Sequence, residues 1–248
     1  MRELNENELK LVQDKCFVLL KAFKEICEKA NIWYSLAYGS VLGAVRHKGF
    51  IPWDTDADVL IMLPDKEKFR EAFYKYKPLG IKLINHNLEK KCLQSHDSLA
   101  FEDEQSVEGI HLDIFPLVGA PSNIKKQKKF ARYTKYADKI IRSKYVDITQ
   151  CKKKNKFFVF LAKLFCFFIP NNILKRNIFN REHKYNFDKA EYYITLSTYG
   201  RASDCIPKEF FEKTIECVFN DDKFRIPEKW DLYLSRIYGD DYMTPKKY

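Results

Sequence analysis

Apolar residues between Glu6 and Ala30 (Leu9, Val12, Cys16, Leu19, Leu20, Phe23, Cys27) recur every three to four positions, which predicts an amphipathic first helix. A short apolar run at Trp33 to Ala37 predicts a strand, and Val41 to Arg46 predicts one or two helical turns capped by Ser40. The run Val59 to Leu63 predicts a second strand, followed by a helix over Pro64 to Tyr76 with Pro in its first turn. Strands are expected at Ile81 to Asn85, Ser98 to Glu102 and Ile110 to Phe115, separated by polar segments. Helices are expected over Asn123 to Tyr145, Lys156 to Ile169 and Asn172 to Asn186, then strands at Glu191 to Thr198 and Thr214 to Phe219. A last helix, Pro227 to Tyr238, sets Trp230, Tyr233, Leu234 and Ile237 on one side and stops at Gly239. The elements show no internal repeat, and an α+β class is expected.

The stretch from Tyr38 to Leu63, YGSVLGAVRHKGFIPWDTDADVLIML, holds the densest chemistry. Asp54, Asp56 and Asp58 stand at alternate positions and open an apolar strand. Alternate residues of an extended chain point to one side, so Asp56 and Asp58 project together. Like charges so placed repel unless a cation lies between them, and a hard divalent ion with oxygen ligands is the usual solution. A polar turn before a strand would need one Asp, not three. Asp113 lies between apolar neighbours in Ile110 to Phe115, where an acid needs compensation; sharing a metal with Asp56 and Asp58 supplies it. Gly39 and Ser40, at a strand-to-helix turn, offer backbone N–H groups and a hydroxyl to phosphate oxygens. Arg46 suits a bidentate phosphate contact, and His47 is either a donor to substrate or a loop residue. A Gly-Ser turn, an Asp-x-Asp strand and a distant third Asp together make a two-metal arrangement for phosphoryl transfer.

Charge and composition add a second feature. The chain carries a formal +10 over 248 residues. Pro121 to Pro170 alone holds 12 Lys and 2 Arg against 2 Asp, so the excess is local. Such a surface suits nucleic acid, an anionic membrane or a phosphorylated substrate. Lys156 to Ile169 is rich in Phe, with Lys163 inside it. It is shorter than the ~20 residues that span a bilayer. Two readings stay open for Phe157 to Phe168: a helix in a membrane interface, or a core helix of a helical subdomain. The seven Cys show no CxxC spacing, which argues for free thiols, and the five His show no HxxxH or HExxH. MRELNENELK lacks the apolar core of a signal peptide, so a cytoplasmic placement is expected.

The run Arg46-His47-x-Gly-Phe-Ile-Pro-Trp-Asp-x-Asp-x-Asp58 resembles the LicD family, within the DNA polymerase β-like nucleotidyltransferase superfamily. Leu112-Asp113-Ile114-Phe115-Pro116-Leu117 and the terminal Phe219, Ile226-Pro227, Tyr233-Leu234 and Tyr238-Gly239-Asp240 agree with it. Gly-Ser-Val-Leu-Gly departs from the family's commoner Gly-Thr-Leu-Leu-Gly but keeps the hydroxyl, and no motif of the family is placed in Pro121–Pro170. The resemblance implies a mixed-sheet core flanked by helices over residues 1–120, a basic helical insert over 121–188, and a segment, 189–248, completing the active-site region. It implies transfer of phosphocholine from CDP-choline to a sugar hydroxyl of a bacterial surface glycan or its lipid-linked precursor, releasing CMP. Ribitol phosphate or glycerol phosphate from a CDP-linked donor is the alternative. Magnesium, as two ions, or manganese would be held by Asp56, Asp58 and Asp113, with Asp113 also a candidate base. Asp54 would stand behind these ligands or face the substrate, Gly39 and Ser40 would hold the donor phosphates, and Arg46 and His47 would approach donor or acceptor. A choline donor would need an aromatic wall, for which Trp53, Trp230, Tyr233 and Tyr238 are candidates. The implied location is the inner face of the cytoplasmic membrane, peripheral and on an anionic surface. The competing readings are a nucleotidyltransferase acting on RNA or a small molecule and a membrane adaptor. The Arg-His-x-Gly-Phe-Ile-Pro-Trp run speaks against nucleic acid as partner, and the intact carboxylates speak against the adaptor.

Overall fold

The structure is a computed structural model that describes residues 5–85, 94–103, 110–146, 148 and 156–245. It divides into two compact units. The first comprises residues 1–83, 98–117 and 206–248, and the second 84–97 and 118–205. The class is α+β, a mixed sheet flanked by helices.

The first unit opens with α1 (Glu6–Lys29). Asn5 and Glu8 close its start reciprocally: the Glu8 N–H donates to Asn5 Oδ1 (2.9 Å) and the Asn5 N–H to Glu8 Oε2 (3.0 Å). Phe17, Leu20, Phe23 and Cys27 form its buried face. Phe23 meets Tyr34 and Phe69, and Phe17 meets Phe219 and Phe224. These rings tie α1 to β1 (Tyr34–Leu36), α3 (Lys66–Lys75) and the hairpin of β8 (Thr214–Phe219) and β9 (Asp222–Pro227). Between β1 and α3 lie α2 (Tyr38–His47) and β2 (Ala57–Met62). The sheet order is β1-β2-β5-β4-β3, with β3 at Ile81–Ile84, β4 at Asp97–Phe101 and β5 at His111–Ala120. β1 runs antiparallel to β2, and β2 parallel to β5. The short β7 (Ile206–Pro207) and α7 (Trp230–Tyr238) complete the unit.

Several expected boundaries move. Ser40 does not cap α2; the helix begins at Tyr38 with Ala37 as its cap residue. Strand β5 continues past Pro116 to Ala120. Pro227 closes β9, and the last helix starts at Trp230. β9 itself was not expected, although Phe224 and Ile226 alternate with Lys223 and Arg225 after the Asn220-Asp221 turn.

The second unit holds α4 (Ile124–Ser143), α5 (Lys156–Phe167), α6 (Asn171–Glu182) and β6 (Tyr192–Ile194). Asn123 caps α4, accepting from the Lys125 and Lys126 N–H groups. The end of β5, Val118 to Ala120, pairs antiparallel with β6. The five cysteines among the described residues are free thiols; Cys92 and Cys151 lie outside those residues.

Candidate active site

Asp58 is the second residue of β2 and stands in parallel register with Asp113 on β5. Neighbouring strands lie about 4.8 Å apart, and registered partners of a parallel pair share a face. Leu112 and Ile114 are buried on either side of Asp113, while the Asp113 side chain is 19% exposed and turned to the opposite face. The two acids therefore stand side by side. Asp56 precedes β2 by one residue and is exposed, and its carboxyl shares a hydrogen bond with that of Asp54. Burial, followed by the charges of Asp56, Asp113 and Asp54, pushes the Asp58 carboxyl well above the ordinary carboxylate range. Burial, with Asp56 second, raises Asp54 to about 7. Four carboxylates feel one another, with two of them held toward the protonated form.

Backbone and side-chain contacts fix this array. Ser40 Oγ accepts from the Asp58 N–H (2.9 Å), and the Ala37 N–H donates to Asp58 O (2.9 Å). Ser40 thus positions β2, a role absent from the sequence reading. Tyr38 has φ of 44°, in the left-handed region that a bulky residue seldom adopts. Its N–H donates to the hydroxyl of the fully buried Tyr233 (3.1 Å), and its ring meets Phe115 edge-on. Gln13 of α1 donates to Ile51 O (3.2 Å) and Asp54 O (3.0 Å), holding the loop that carries Trp53 and Asp54. Ser98 Oγ donates to Asp113 Oδ1 (2.7 Å), and His111 Nε2 lies 3.6 Å from the same oxygen. His111 and Asp113, two apart on a strand, share a face; that spacing was legible, whereas Ser98 and Gln13 carry no local signal.

α2 and the following loop meet at Gly43, where a Cβ would strike the carbonyl oxygen of Gly49. Backbone cannot yield as a side-chain end does. Gly43→Ala is expected to cost about 1–3 kcal/mol of stability and to displace the Arg46–Asp54 loop. Thermal denaturation and a turnover assay on the same preparation check both.

A cleft of about 150 Å³ opens beside Asp54, the one member of the array that lines it. Gly39, Arg46, Trp53 and Asp54 line it together with Tyr238, Asp241 and Tyr242. A Cβ on Gly39 would lie 2.9 Å from Asp54 Oδ2, so only glycine leaves Asp54 its place. Arg46 is held by two contacts: Nη1 donates to Tyr242 O (2.7 Å) and Nε to His47 Nε2 (2.9 Å). His47 therefore accepts rather than donates at Nε2; burial, then the Arg46 charge, lowers its pKa and favours the neutral ring. The Tyr242 hydroxyl donates to Asp231. Of the four aromatic candidates, Trp53 and Tyr238 line the cleft and Tyr233 belongs to the core; Trp230 is not among the lining residues.

The donor set of Asp54, Asp56, Asp58 and Asp113 is all oxygen, clustered and mutually repelling, which fits a hard divalent cation. Their oxygens are engaged with Ser98 and with one another. Among the described residues no three His, Cys, Asp or Glu side chains are gathered as ligands around one point.

Residues 31–147 match the LicD/FKTN/FKRP nucleotidyltransferase domain. Over 99% of its length the chain is 26% identical to the lipopolysaccharide cholinephosphotransferase LicD of Haemophilus influenzae, covering 94% of that protein. Shorter matches join it to uncharacterized proteins of two Rickettsia species. One, from Rickettsia typhi, is 42% identical over 29% of this chain and 23% of its own. The other, from Rickettsia prowazekii, is 39% identical over 26% of this chain and 24% of its own.

Proposed function

We propose, for a chain that belongs to the LicD family, that it transfers phosphocholine from CDP-choline to a hydroxyl of a lipopolysaccharide-type glycan and releases CMP. The observation that carries this reading is the register of Asp58 with Asp113, with Asp54 and Asp56 beside them and the aromatic, acidic cleft adjoining. The acceptor oxygen forms a bond to the phosphorus that bears choline, and the bond from that phosphorus to the CMP oxygen breaks. The hydroxyl proton passes to Asp113, whose Oδ1 is oriented by Ser98, and then to solvent. Magnesium held by Asp56, Asp58 and Asp113 would neutralise charge on the phosphates. Arg46, immobilised by Tyr242 and His47, suits a phosphate oxygen. The rings of Trp53 and Tyr238 and the carboxylates of Asp54 and Asp241 suit a quaternary ammonium.

Two measurements test this. With magnesium and a glycan acceptor, CDP-choline, CDP-ribitol, CDP-glycerol and CTP are supplied separately. CMP release, highest with CDP-choline, is expected; diphosphate release from CTP with nucleotide incorporation would establish nucleotidyl transfer instead. Trp53→Ala is expected to raise KM for CDP-choline roughly tenfold, within the range of one desolvated cation–π contact, and to leave KM for CDP-glycerol nearly unchanged. An equal rise for both donors would remove Trp53 from the ammonium site.

A further inference from the structure

We infer that the helical second unit docks on an anionic lipid bilayer through the outer face of α5. The inference concerns that unit alone and stands apart from the proposed chemistry. Of the residues of α5 only Cys166 is buried. Phe157, Phe158, Phe165, Phe167 and Phe168 are each 66–76% exposed. That density of outward rings exceeds what scattered surface apolar residues explain. Lys156 is the first residue of the helix, and the charge in its interior is turned away from this face: Lys163 Nζ donates to Val146 O (2.9 Å), after α4, and Cys166 Sγ to Ile140 O (3.3 Å), within α4. α5 is thus anchored on one side by its polar groups and left purely apolar on the other.

The charge around it names the partner. Lys125, Lys126, Lys128, Lys129 and Arg132 of α4 are exposed, whereas Arg142 pairs with Asp138 (3.8 Å). The helices α4 to α6 contain two acids, Asp138 and Glu182, and both are buried. Asp138 accepts from Ser95 Oγ (3.3 Å) and opposes the charge of the buried Arg181. Among the described residues these three helices expose no acid, so their outward surface is cationic. A purely apolar face beside an uncompensated basic surface matches an anionic membrane interface, where rings enter the acyl boundary and cations meet headgroups. Among the described residues no single helix is long and apolar enough to cross a membrane, and α5 and α6 meet at 106°. At 1.5 Å per residue α5 reaches about 18 Å against the ~30 Å of a hydrocarbon core. α5 and α6 together have the length and composition of a bent span, which an alkaline carbonate wash separates from surface docking. Lys152 to Lys154 lie outside the described residues and are not needed for it.

Co-flotation of the full chain with vesicles tests the inference. Binding to phosphatidylglycerol-containing vesicles is expected, with little on pure phosphatidylcholine and release at about 0.5 M NaCl, where screening shortens to a few ångströms. Phe158→Ser with Phe165→Ser should weaken binding roughly tenfold or more, with an unchanged melting temperature because both side chains are exposed. Lys128→Glu with Lys129→Glu should weaken binding to anionic vesicles only. Equal binding to neutral vesicles, no binding, or retention through an alkaline carbonate wash would overturn the inference. So would a stable oligomer of the chain that the Phe substitutions dissociate, since the face would then belong to a second copy.

Discussion

Replacing Asp58 by asparagine is expected to lower turnover by about 10³-fold, close to 4 kcal/mol of transition-state stabilisation, while the fold persists. Asp58 contributes a carboxylate at the point where Asp56, Asp113 and Asp54 all press upon it. Its backbone contacts, the N–H to Ser40 Oγ and the carbonyl to Ala37, do not involve the side chain and survive the change. The substitution also relieves repulsion, so the metal-free variant should melt above the metal-free parent. Rates of CMP release and melting curves in chelator decide the matter. A variant that keeps near-parental turnover, or that fails to fold, would contradict the assignment.

Chelation is expected to abolish turnover and to expose a pH dependence of stability. The Asp54 carboxyl, raised by burial and then by Asp56, titrates at about 7 in the folded chain. In the unfolded chain it titrates near 4, roughly the value of a free Asp. Between those values the folded state binds more protons, so the stability of the chelated protein falls as pH rises from about 4 to about 7. Asp58, raised likewise, adds to the same trend. The parent in chelator should melt lower at pH 7.5 than at pH 5, Asp54→Asn should flatten the difference, and magnesium should restore stability at pH 7.5. A chelated parent whose melting temperature climbs over that range, or stays level with the Asp54→Asn variant, would refute the account.

Much of this was legible from residue order. The aspartate ladder at 54–58, the isolated Asp113 and the helix from Glu6 follow from spacing alone, and β8 has the bounds its alternation implies. What escaped is non-local. Gln13 reaches Ile51 and Asp54 across 38 and 41 residues, and Ser98 reaches Asp113 across a strand pair; no local period encodes either. Ser40 was read for its hydroxyl beside phosphates, whereas here that oxygen fixes the strand bearing Asp58. Of the aromatic candidates, Trp53 and Tyr238 line the cleft while Tyr233 supports Tyr38 from the core. The sequence also left two fates open for the Phe-rich helix, because composition cannot say which way a ring points. Its rings point outward.

The grip of the Tyr242 carbonyl on Arg46 spans 196 residues. On the ribosome, at about 5–20 residues per second, the arginine waits roughly 10–40 s for its acceptor to be made. A nascent chain can lay down the carboxylate-bearing strands well before then, while the cleft lined by Arg46 and Tyr242 stays unfinished. The Arg46–Tyr242 contact is therefore expected to form late, limited by long-range closure.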